Sequence, residues 1–110
     1  MPQGCAVTFR LDRVDFDPFG RVVLTDRASA AALGGLFEQA DAIACESGCG
    51  APLSCDTALI RRDQLIRIGP DLLVNNADFA AIIRKRKAVQ AEHAVIMFRV
   101  YREIELREAG

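Results

Sequence analysis

The sequence contains no tryptophan, one tyrosine and one histidine. A Cys–His nucleophilic pair would rest on His93 alone, and nothing in the chain places it beside a thiol. An excess of one charge is also missing: 14 Lys+Arg stand against 15 Asp+Glu, a net charge of −1. No overall field therefore draws the chain to nucleic acid or to an anionic membrane. No apolar run approaches the ~18 residues that cross a bilayer. The first residues, Met1-Pro2-Gln3-Gly4-Cys5, lack the basic and apolar regions of a secretory leader. The expected location is cytoplasmic, where four cysteines are thiols, metal ligands or redox groups more often than structural disulfides. The sequence has no G-x-S-x-G, H-E-x-x-H, dinucleotide-binding or phosphate-loop motif, and it shows no repeat, low-complexity tract or linker.

What is present is one globular domain over residues 1–110, with 51% hydrophobic and 26% charged residues. Val7, Phe9 and Leu11 alternate with polar residues, and Val14 and Phe16 continue the alternation in the opposite phase. The flip predicts a bulge or a break near Asp12-Arg13. Asp17-Pro18-Phe19-Gly20 is a turn, followed by a returning strand over 21–25. Leu33, Leu36, Phe37, Ala40, Ile43 and Ala44 recur at three- and four-residue spacing. They predict an amphipathic helix over about 28–45, capped by Asp26 or Ser29 and ending at Ser47-Gly48.

Two strand-like runs, 57–61 and 65–68, read as a hairpin turning at Arg62-Asp63-Gln64. After a turn at Gly69-Pro70-Asp71, Leu72-Leu73-Val74 is a short buried segment. Asn76 or Asp78 caps a second helix over about 77–92. Residues 95–106 favour a strand, against a helical stripe through Met97, Val100, Tyr101 and Ile104. The order predicts an α+β fold: an N-terminal β-hairpin within a ferredoxin-like βαββαβ sandwich, one antiparallel sheet with two helices on one face.

Cys45, Cys49 and Cys55 fall in a C-x3-C-x5-C spacing among Gly48, Gly50 and Pro52. Three converging thiolates suit zinc or an iron–sulfur centre, with Cys5, Asp56 or His93 as a fourth ligand. A regulatory disulfide and incidental thiols are the competing readings. Arg84-Lys85-Arg86-Lys87 resembles a nucleic-acid patch, but four consecutive helical residues point around the whole helix. Asp15/Asp17 and Glu103/Glu105 are spaced for one strand face, as solvated surfaces often show. The expected function is a small oligomeric binding or assembly domain. Its partner is a second copy or another protein, met through Val95, Met97 and Tyr101, with a metal or redox centre in loop 45–55. The alternatives are a nucleic-acid-binding domain using helix residues 84–87 and a small thiol-dependent enzyme or accessory subunit.

Overall fold

Among the described residues, apolar alternation in short runs, each bounded by a turn former or a helix cap, builds eight strands and two helices. A computed structural model describes residues 5–38, 40–47, 56–90 and 93–102. The strands are β1 (Cys5–Arg10), β2 (Val14–Phe16), β3 (Val22–Leu24), β4 (Ala42–Ser47), β5 (Asp56–Arg61), β6 (Leu65–Ile68), β7 (Asp71–Val74) and β8 (Val95–Arg102). The helices are α1 (Arg27–Leu36) and α2 (Ala77–Val89). They build two antiparallel four-stranded sheets, β1-β8-β4-β5 (sheet A) and β2-β3-β7-β6 (sheet B). The mixed α/β class and the two helices agree with the sequence reading. The single ferredoxin-like sheet does not, because the chain changes sheet where the sequence suggested that it turns back.

That change is made twice by the same device. A 3-10 turn, Leu11–Arg13, carries the chain from β1 in sheet A to β2 in sheet B. Another, Arg62–Gln64, carries it from β5 to β6. The first accounts for the phase flip near Asp12. The second corrects the predicted hairpin, since β5 and β6 lie in different sheets.

The two turns belong to a larger duplication. Each half of the chain runs strand, 3-10 turn, strand, strand, helix, strand. The strand registers superimpose the halves: Val7 pairs Phe98 as Ala58 pairs Cys45, and Val14 pairs Leu24 as Leu65 pairs Val74. The Leu11 N–H donates to the Ala94 carbonyl at 3.0 Å, and its counterpart Arg62 donates to Asp41 at 2.8 Å. Thr25 N–H to Arg13 carbonyl, 3.0 Å, corresponds to Asn75 to Gln64, 2.7 Å. The halves are thus related by a pseudo-twofold axis. It crosses sheet A at the facing pair Glu46–Arg99 and sheet B at Val23–Leu73, pairs whose members are each other's counterparts. The repeat is one of architecture and not of sequence.

One core joins the layers. α1 packs on β1, β3 and β7, and α2 on β5 and β3, so each helix bridges both sheets. Phe9, Phe79 and Phe98 form an aromatic cluster with ring centroids 5.3–6.1 Å apart. Burying each such side chain stabilises the fold by about 1.5–3 kcal/mol. The helix over 28–45 is corrected to α1 followed by β4. Phe37 closes α1 with its N–H on the carbonyls of Gly34 and Gly35. Ile43, Cys45 and Ser47 then alternate inward along β4, which pairs on both sides with β5 and β8. A Cβ at Gly34 would lie 2.7 Å from the Arg67 guanidinium, the end of a flexible, exposed side chain that can swing aside. Gly35 faces no such neighbour.

Candidate functional site

The cysteine constellation is only partly visible. Cys45 lies in β4 with its side chain in the core cluster, not at a helix end as the sequence suggested. Burial pushes its thiol up to about 12. A thiol that resists ionisation is a poor thiolate donor. Cys49 and Cys55 lie outside the described residues, as does the Cys5 side chain. Of the fourth-ligand candidates, His93 is exposed between α2 and β8, while Asp56 begins β5 and is engaged by Lys85 and Arg86. Among the described residues no three His, Cys, Asp or Glu side chains are grouped to hold a metal ion.

The basic run is dispersed by the helix that carries it. Arg84 stacks on Phe16, 5.1 Å from the ring centroid. Lys85 and Arg86 converge on Asp56 at 3.2 and 2.9 Å. Lys87 lines a separate crevice with Asp12 and Asp15. Among the described residues, Arg86 is the most buried of the paired cations, and its Nε–H has no acceptor. It borders a cleft of about 460 Å³ with Glu46, Ser47, Gln90, Met97 and Arg99. Ser47 is held there by donating its hydroxyl to the Met97 carbonyl at 3.0 Å.

The acidic pairs have local explanations. Asp17 Oδ1 accepts from the N–H groups of Phe19 and Arg21, and Oδ2 accepts from Arg21 Nε at 2.7 Å. Desolvation works against ionisation here, but these hydrogen bonds, those from Arg21 foremost, hold the carboxyl below its ordinary value. They fix the Asp17–Gly20 turn, which closes through Gly20 at a φ of +81°. Asp15 points to solvent from β2. Glu103 and Glu105 lie outside the described residues.

The exposed large apolar side chains are more informative. Leu59 (49% exposed), Val95 (57%) and Met97 (49%) lie on the outer face of sheet A. Tyr101 stands in the same outer layer, in a row with Ala44 and Leu59. On sheet B, Ile66 (44%) and Ile68 (53%) project outward from β6, an edge strand whose hairpin turns on Gly69 at a φ of +60°. Val95, Met97 and Tyr101 were expected at this surface from the sequence, and the two isoleucines were not. Leu65-Ile66-Arg67-Ile68 alternates, and the signal was that its outer set is wholly apolar. No protein-family model, curated protein or solved structure matches the chain.

Proposed function

We propose that the chain is a small binding and assembly domain that works as an oligomer. One observation carries this reading: Leu59, Val95, Met97, Ile66 and Ile68 are exposed on sheet surfaces, while the inner faces of both sheets are covered by helices and by each other. Exposed apolar side chains on a sheet surface that the fold itself leaves uncovered offer contact area to another protein. The outer face of sheet A is the docking surface for a protein partner. Its central strand contributes Val95 and Met97, and its edge strand β5 contributes Leu59.

The same geometry gives less support to the other readings. The basic run on α2 spends its charge on Asp56 and its cation–π contact on Phe16, so it offers no continuous stripe to a phosphate backbone. The buried neutral Cys45 suits packing better than nucleophilic attack. Sedimentation velocity of the full chain over a hundredfold concentration range tests the proposal. Dimers or larger species with concentration-dependent populations are expected. A monomer throughout would overturn it.

A further inference from the structure

We propose that β6 is the assembly edge of this protein, pairing antiparallel with β6 of a second copy across a twofold axis and extending sheet B from four strands to eight. The inference rests on the oligomeric reading above and names the element that makes the oligomer. Its starting point is the pseudo-twofold axis. β2 and β6 are the two terminal strands of sheet B, and they occupy corresponding positions in the two halves. Register places Asp15 opposite Val23 in one half and Ile66 opposite Leu73 in the other. One fold position therefore holds an exposed carboxylate on one edge and an exposed isoleucine on the other. Two residues on, the contrast ends: Asp17 is turned into its own turn by Arg21, and Ile68 is exposed.

An edge strand presents unpaired N–H and C=O groups, and natural sheets guard such edges with charge. β2 is guarded in this way, and it shows that the fold accepts a charged residue at this position. β6 lacks the guard. Its outward side chains are Ile66 and Ile68, and its one cation, Arg67, projects from the opposite face to lie against α1 at Gly34. Among the described residues no strand covers its outer side.

Charge selects the occupant. Pairing β6 with β2 of another copy would set Asp15 against an isoleucine and strip water from an unpaired carboxylate. The edges of sheet A bring Arg10 on β1 and Arg61 on β5 to their outward faces. Another β6 offers an outward row without charge. With Ile66 facing Ile66 across the axis, Leu65 of each strand faces Arg67 of the other, and the two Arg67 side chains are not opposed. Such an isologous contact closes on itself. The far edges of the eight-stranded sheet are then two copies of β2, where Asp15 stops further growth.

The test is sedimentation velocity on the full chain, comparing the parent with Ile66→Asp, which gives β6 the residue found on β2, and with Asp15→Ile, which removes the guard. The parent is expected to dimerise, Ile66→Asp to raise the dissociation constant at least tenfold, and Asp15→Ile to form species larger than a dimer. Circular dichroism identifies any variant that fails to fold. Amide hydrogen exchange of the parent gives an independent readout, in which residues 65–68 become protected as concentration rises. A parent that dimerises, with Ile66→Asp dimerising equally and 65–68 unprotected, would overturn the β6 assignment and leave the oligomeric reading standing. A parent monomeric at every concentration would overturn both.

Discussion

The Thr8 carbonyl on β1 and the Leu59 carbonyl on β5 are corresponding groups in the two halves, and both face the start of a helix. In the first half, Ser29 Oγ reaches the Thr8 carbonyl at 2.9 Å while also lying 2.6 Å from Asp26 Oδ2. One hydroxyl proton is shared between two acceptors. In the second half, Asn76 both caps α2 and supplies the donors: its Oδ1 accepts from Phe79 N–H, and its Nδ2 donates to Leu59 at 2.8 Å and to Gln64 Oε1 at 2.9 Å. The backbone sets the same demand twice, and different side chains meet it. A fold duplicated in one chain fixes where acceptors and voids lie, and it leaves open which residues satisfy them.

The core shows this on a larger scale, and the largest expected effect breaks the comparison there. Phe98 on β8 corresponds to Cys45 on β4, and both are fully enclosed. Phe98→Ala leaves a void in the aromatic cluster and should cost about 3–5 kcal/mol. Cys45→Ala removes only a sulfur and should cost about 1 kcal/mol. Urea denaturation of both variants measures the difference, and equal losses would deny that the aromatic cluster anchors the core. The helix caps come next. Asn76→Asp keeps a capping oxygen but removes two donors and aims a carboxylate at two acceptors, for an expected loss of about 2–3 kcal/mol. Asp26→Asn keeps an oxygen to cap the helix and should change stability by less than about 1 kcal/mol. If the two exchanges proved equally harmful, the caps would not be the alternative solutions described.

The smallest effect is one of pH. The hydroxyl of Ser29 above all, with backbone N–H groups and against some desolvation, holds the Asp26 carboxyl below its ordinary value. A depressed folded-state value means that this contribution is fully present above the unfolded-state carboxyl value. It is lost as pH falls through the lower, folded-state one. Asn76 does not titrate. Acid should therefore weaken the α1 cap and spare the α2 cap, and Asp26→Asn should show a shallower fall in stability between neutral pH and pH ~3. An unchanged slope would place the acid sensitivity elsewhere, with Asp17 and its turn as the next group to replace.

Much of the local structure is legible in the sequence. The Asp17–Gly20 turn, the cap at Asn76 and the strand beginning at Val95 depend on neighbouring residues, and the structure has all three. The end of α1 was not legible, because Leu33, Leu36, Phe37, Ala40, Ile43 and Ala44 fit a helical stripe although the last two belong to a strand. Only pairing with β5 and β8 decides between the periods. The duplication was hidden because corresponding positions share burial and not identity, as in Phe9 and Ile60 or Asp15 and Ile66. Its faint trace is Arg10-Leu11-Asp12 against Arg61-Arg62-Asp63, each at the start of a 3-10 turn. Of the candidate surface, Val95 and Met97 could be read from period two. Ile66 and Ile68 gained meaning only when β6 proved to be an edge and β2 its charged counterpart.

The pair that sits on the internal axis has a consequence of its own. A residue on a twofold axis meets its own counterpart, so a dimer of two first halves would press Glu46 against Glu46. A dimer of two second halves would press Arg99 against Arg99. Only a first half joined to a second sets opposite charges face to face, as this chain does. Like charges directly across a strand pair repel. An opposite-charge pair across strands contributes about 0.2–1 kcal/mol, and that contribution is open only to a first half lying against a second.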